Sequence, residues 1–157
     1  MTEEITTRAR WDLPKQTIIG FGDGKEKVVG DCMRCCIAAV LNLPASEVPH
    51  FVQISTDTKQ SFNGLAQEWL GQRGFTLAQL ECGSLFNGGS PFFVFSSQNY
   101  KPRPVPMICG GPTMRSKDAT QTHAVVMENG QMVYDPHPSE AGLLAVTTRY
   151  LIIPHLP

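Results

Sequence analysis

The sequence predicts an α+β fold, with an antiparallel sheet and helices packed on one side of it. Three observations carry that prediction. Two stretches with apolar residues at three- and four-residue steps fall in the first half, at 32–42 and 61–74. Short apolar runs bounded by glycine and proline follow after residue 75. A hairpin pattern, two strands around Glu128-Asn129-Gly130, then spans 123–135. Helices first and strands afterwards favours α+β over an alternating α/β chain.

A length of 157 residues suits a single domain spanning 1–157. Apolar residues make up 41% and charged residues 17%, which excludes a disordered tail and a coiled coil. Lys and Arg total 13 against 14 Asp and Glu, so no basic excess points to nucleic acid or to an anionic membrane surface. No apolar run approaches the roughly 20 residues of a membrane span. Met1-Thr2-Glu3-Glu4 lacks the basic start and apolar core of a signal peptide. The expectation is a cytoplasmic protein. Its five cysteines, an odd number, are then expected as free thiols rather than a disulfide framework.

In chain order, residues 1–15 read as a polar, loosely attached arm. Gln16-Thr17-Ile18-Ile19 suits a short strand, and the glycine-rich, charged stretch from Gly20 to Gly30 a loop. Gly30 breaks the chain, and Asp31 is a good helix-capping residue. The helix from Cys32 to Asn42 places Met33, Ile37, Val40 and Leu41 on one face, and Pro44 stops it. Residues 45–51 read as a short helical turn or loop between prolines. A second helix, 61–74, repeats Phe62, Leu65, Ala66, Trp69 and Leu70 at helical spacing and ends at Gly74. Strands are predicted at Phe75–Leu80, Phe92–Phe95, Val105–Cys109 and 145–153, with a stiff proline loop at 100–104 and a mobile loop at 110–120.

The chemistry is expected at Cys32. A thiol in the first turn of a helix meets unpaired N–H groups and the positive end of the dipole, which favour the nucleophilic thiolate. The hairpin supplies its partners. If Met127 faces Gln131 across a three-residue loop, His123 faces Asp135, and directly opposed residues project to the same face. The carboxylate then fixes the tautomer of an imidazole that serves as base. A two-residue Asn129-Gly130 loop would instead set His123 opposite Pro136. Gln16, upstream of the helix, is a candidate oxyanion donor.

Gly30-Asp31-Cys32 opening an apolar helix, then His123-Ala124-Val125-Val126, a hairpin and Asp135-Pro136, resembles the papain-like cysteine peptidase superfamily. The likeness is to its small bacterial and phage members, including bacteriocin-leader-processing peptidases. Asp135-Pro136-His137-Pro138-Ser139 with Ala141-Gly142-Leu143 resembles small phage and bacterial proteins of this fold. The stretch 50–110 carries no resemblance. The likeness implies a cysteine-bearing helix on an antiparallel sheet that carries the histidine. It implies cleavage of an amide, peptide or isopeptide bond in a peptide or protein substrate, without metal or organic cofactor. Cys32 would be the nucleophile, His123 the base and Asp135 the orienting group. One departure stands out: papain-like enzymes carry an oxyanion glutamine about six residues before the cysteine, and Glu26 occupies that position here. Gln16 across a longer loop, another donor, or weak activity would each answer it.

Blander readings compete. Cys32 could be a small buried hydrophobe, and Cys35 and Cys36 read as helix core. Cys32-x-x-Cys35 has zinc-ligand spacing, but Cys82, Cys109 and His137 would have to complete the site from scattered positions. His123 could be a satisfied core histidine. His137, between two prolines, reads as a rim residue and the reserve imidazole. His50 and His155 read as surface or packing residues. Asp31 reads as a cap that could also line the cleft, and Arg34 and Arg115 as solvated charges that could meet an acidic substrate group. The same relay could serve acyl transfer or transglutamination, or the fold could be a weakly catalytic module that captures a host protein or peptide.

Overall fold

The computed structural model describes residues 11, 13–20, 29–81, 105–113, 115 and 121–155; residues 1–10, the loop at 21–28 with Glu26, Cys82, the expected strand Phe92–Phe95, the proline loop at 100–104 and residues 116–120 lie outside them. Helix α1 (Cys32–Leu41) ends at Asn42, which takes the left-handed conformation (φ 55°, ψ 46°). From there Asn42 N–H donates to Ala39 O (3.2 Å) and Leu43 N–H to Ala38 O (2.9 Å), which satisfies the last carbonyls before Pro44 is reached.

The start of α1 differs from expectation. Asp31 makes no side-chain cap. It is buried, and its carboxylate accepts from Ile18 N–H (3.1 Å) and Thr17 Oγ1 (3.4 Å). An acidic side chain that fastens a neighbouring segment cannot also turn to its own helix. Residues 16–19 lie beside it as irregular chain with a bend at Thr17 rather than as a ladder strand. The loose-arm expectation fails for the described part of 1–15. Trp11 is buried in the core, and Pro14 O accepts from the Tyr134 hydroxyl (2.7 Å). The apolar ring outweighs the polar composition around it.

A 3-10 turn (Ala45–Glu47) leads to α2 (Phe51–Thr58), a helix the sequence pattern does not announce. Val52, Ile54, Thr56 and Thr58 are β-branched and poor helix formers. Capping and packing override them. His50 Nδ1 accepts from Gln53 N–H (3.3 Å), while its Nε2 lies 3.2 Å from Val29 O. Helix α3 (Phe62–Gly71) follows, with Ser61 Oγ accepting from Gly64 N–H. It stops three residues before Gly74, whose φ of +79° serves the turn into the sheet. Phe51 packs edge-on against Phe62 (6.4 Å) and Trp69 (5.8 Å), which joins α2 to α3.

The strands are β1 (Phe75–Glu81), β2 (Met107–Pro112), β3 (Thr122–Glu128), β4 (Gln131–Tyr134) and β5 (Thr148–Pro154), in the spatial order β1-β5-β2-β3-β4 and antiparallel throughout. The described residues are thus α+β: three helices packed on a five-stranded antiparallel sheet. Helix α1 lies on β3 and β2, α3 on β1, and α2 on α3. The core between α1 and the sheet holds Cys36, Ile37 and Ala38 against Ile108, Ala124, Val126 and Tyr134. No single helix among the described residues is long and apolar enough to cross a membrane.

Gly110 to Pro112, expected in a mobile loop, continue β2 and pair with Ala124 to Thr122. Ala145–Thr147, expected in the last strand, run beside them before β5 begins. Leu144 N–H donates to Pro112 O (2.8 Å) and Thr147 N–H to Gly110 O (2.9 Å). The approach is possible because residue 111 has no side chain: a Cβ there would lie 1.9 Å from Ala145 O. At Gly110 the nearest atoms to such a Cβ are at 3.9 Å. Gly111→Ala is therefore expected to cost about 2–3 kcal/mol by overpacking, and Gly110→Ala clearly less. Urea unfolding of both variants checks this, and equal midpoints would contradict the close approach.

Candidate active site

His123 and Asp135 meet, but not through the register expected for them. The hairpin turns through the two-residue loop, with Glu128 opposite Gln131 and Met127 opposite Met132. A bulge then shifts the pairing so that Val126 faces Tyr134. Strand β4 ends at Tyr134, and Asp135 is the first residue beyond it. From there its Oδ1 lies 2.7 Å from His123 Nε2, and both side chains are buried. Sequence reasoning reached the right pair by a cross-strand opposition that does not exist.

The Asp135 carboxylate is held from three sides. Besides His123, it accepts His137 N–H on Oδ1 (2.8 Å) and Gly142 N–H on Oδ2 (2.9 Å). Burial alone would raise its pKa. The ring and the two backbone donors overcome that and hold the carboxyl below its ordinary 3.8. For His123, burial alone would lower the pKa. The hydrogen bond to Asp135, with the neighbouring Cys32 side chain adding to it, outweighs that and holds the imidazole above its ordinary 6.5. A carboxylate only accepts, so Nε2 carries the proton and Nδ1 is the nitrogen left as a base.

Cys32 is the first residue of α1 and half-buried. Cys35 and Cys36 are sealed behind it. Burial, with Asp31 adding to it, pushes the Cys35 thiol up to about 12, and burial raises Cys36 as well. Neither suits nucleophilic chemistry near neutral pH. Cys32 opens instead into a cavity of about 410 Å³, shared with His123, Gln16, His137 and Arg115. Ile19, Val29, Met33 and Val52 form its apolar wall, and Gly20, Gly30, Gly110 and Gly111 also line it.

Gln16, proposed from sequence as an oxyanion donor, is in this cavity. Its backbone N–H donates to Pro136 O (2.8 Å) and its side-chain Nε2 to Ile18 O (3.0 Å), which leaves one Nε2 hydrogen uncommitted. His137 also lines the cavity, its ring edge-on to His123 at 6.2 Å. Asp31 does not: it faces a second cavity behind α1, with Lys15, Arg34 and Cys35. Its expected place in the cleft is thus corrected, because its carboxylate is turned to residues 17 and 18. Arg34 lines that second cavity as well rather than the Cys32 cavity, and its Nε donates to Val48 O (2.7 Å). Among the described residues, no three His, Cys, Asp or Glu side chains cluster as metal ligands would.

Sequence reasoning missed the residues that brace the site. Lys15 Nζ donates to Asp135 O (2.8 Å) and pairs with Glu140 Oε1 (2.5 Å). With the Gln16–Pro136 and Tyr134–Pro14 bonds, this ties residues 14–16 to the Asp135 turn. The available signal was the density of turn residues at 135–142, which wraps chain around the carboxylate. Glu140 and Gly142 both take positive φ there.

The two shifts set opposite pH limbs. The lowered Asp135 contributes stability that is complete above its unfolded value near 4 and is lost as pH falls through the folded one. The raised His123 contributes stability that is complete below 6.5 and is lost as pH rises through its folded value. Asp135→Asn is expected to cost about 2–4 kcal/mol near pH 5.5, because buried donors lose their acceptor, and to flatten both limbs. Urea midpoints from about pH 3 to 8 test this, and a variant curve parallel to wild type would refute the coupling.

No family model, no curated protein and no solved structure matches this chain.

Proposed function

We propose that the protein is a papain-like thiol hydrolase that cleaves an amide or peptide bond through Cys32, His123 and Asp135. The observation that carries this reading is the position of one buried imidazole. His123 hydrogen-bonds the Asp135 carboxylate through Nε2 at 2.7 Å and lines the same cavity as Cys32, whose side chain helps to raise the imidazole pKa. A nucleophile, its base and the group that orients the base are thereby in series, at the edge of a cavity able to admit a substrate.

In the proposed reaction His123 Nδ1 takes the Cys32 proton, and the sulfur attacks the scissile carbonyl carbon. The carbonyl electrons move to oxygen. N–H groups of the first turn of α1 and the spare hydrogen of Gln16 Nε2 are the donors available to that oxyanion. Collapse breaks the C–N bond, and the imidazolium protonates the departing amine. Water, deprotonated by the same nitrogen, then attacks the thioester and returns the thiol. Asp135 stabilises the imidazolium throughout without taking its proton. The substrate is a peptide or protein segment, and glycines along the cavity let its backbone approach closely. An added amine that replaces water in the last step would make the protein an acyltransferase by the same relay.

Hydrolysis of a peptide pool, read by mass spectrometry, tests the proposal. Cys32→Ala is expected to reduce cleavage by roughly 10³-fold or more, and His123→Ala to slow iodoacetamide alkylation of Cys32 at neutral pH by about tenfold. Gln16→Ala is expected to lower kcat by about 10²-fold with little change in KM. Cleavage that persists in Cys32→Ala would sink the assignment. Products coupled to an added amine would redirect it to acyl transfer.

A further inference from the structure

We propose that Arg115 and His137 form a carboxylate-binding subsite in the Cys32 cavity, so that the substrate carries an anionic group close to the bond that is cleaved. The inference deepens the hydrolase reading and rests on it for the word substrate. The binding of a carboxylate beside Cys32 does not.

Arg115 Nε is buried and has no hydrogen-bond partner. Its Nη1 reaches only Ser139 Oγ, at 3.5 Å, and among the described residues no carboxylate pairs with it. A guanidinium that has lost water from one donor and gained no counter-ion is an incomplete site. A carboxylate completes it in fork geometry. The second donor is His137. Ser139 N–H donates to His137 Nδ1 (3.0 Å), and Ser139 Oγ lies 2.8 Å from the same nitrogen. Nδ1 is therefore an acceptor, and the ring proton sits on Nε2. Burial, then the charges of Arg115 and His123, lower the His137 pKa, so the ring stays a neutral donor.

Ser139 thus holds the guanidinium and the imidazole side by side. Both line the cavity that contains Cys32 and His123. Among the described residues lining it, none is Asp or Glu, while Arg115 carries a fixed positive charge. Ile19, Val29, Met33 and Val52 add apolar lining. The cavity therefore combines one fixed positive charge with apolar lining, which suits a ligand that carries an anionic group.

Alkylation of Cys32 by iodoacetate and by iodoacetamide tests the subsite, since the two reagents differ only in a carboxylate for an amide. Rates are read on the Cys32 peptide by mass spectrometry. The ratio of the two rates within one protein cancels any general change in thiol reactivity. The iodoacetate-to-iodoacetamide ratio is expected to fall about tenfold in Arg115→Gln and to recover largely in Arg115→Lys, which restores the charge. A ratio in Arg115→Gln within about twofold of wild type overturns the proposal.

A second measurement needs no variant. Wild-type Cys32 is challenged with iodoacetamide in the presence of N-acetyl-glycylglycine, N-acetyl-glutamic acid α-amide or neutral N-acetyl-glycylglycine amide. Saturable protection by either acid supports the subsite, and the acid that protects tells a chain terminus from an acidic side chain. Protection by neither acid, or equal protection by the neutral amide, overturns it. Failure of the relay is a separate result, an unchanged iodoacetamide rate in His123→Ala, and the ratios above still report whether the cavity holds an anion.

Discussion

The structure turns on the Asp135 carboxylate. Two oxygens, removed from water, accept from one imidazole and two backbone N–H groups. A bare carboxylate would not remain charged in such a place; three donors make it the preferred form. Each donor comes from a different piece of chain: β3, the residue two positions on, and the far end of the turn. The carboxylate therefore closes the 135–142 turn and fixes the ring orientation of His123 at once. Local fold and candidate chemistry share one interaction, and neither can be loosened alone.

The second constraint is how α1 meets the sheet. Its middle is packed against β2 and β3, with Cys36 and Ile37 out of contact with solvent. That packing locates the first turn to within the tolerance of a close-packed interior. Three thiols on one helix thus acquire different fates by position alone. Cys35 and Cys36 are enclosed, while Cys32 reaches the cavity because it belongs to the turn that projects past the core. Asp31 and residues 16–18 pin that turn from outside through side-chain and backbone bonds.

Much of this was legible in the residues. The α1 and α3 patterns, the hairpin and the order of helices before strands follow from periodicity and turn chemistry, and they survive in three dimensions. Cys32, His123 and Asp135 were each recognisable by type and place. The reason for their meeting was not. A bulge within Gln131–Tyr134 moved the register, and only the extra reach of a residue beyond the strand end restored the contact. Helix α2 was hidden by its β-branched residues, because its support comes from an unusual cap, His50, and from the packing of Phe51 on Trp69, which lies outside any local window. The role of Gly111 was hidden for a related reason, since glycine in a strand signals a close approach without naming what approaches. Asp31 illustrates the converse: its type suited a cap, and a distant segment claimed it.

The bracing of Asp135 by residues 14–16 spans about 120 positions of sequence. On the ribosome, Cys32 and its helix emerge long before His123 and Asp135 exist. The early segment that later clasps the carboxylate turn waits unpartnered while the sheet is still being made. Loop closure over such a distance is slow compared with local helix formation. A nascent chain therefore carries its thiol without the imidazole beside it, and the complete site is assembled only with the last sheet contacts. The arrangement of Cys32, His123 and Asp135 is thus a product of long-range closure rather than of any local segment.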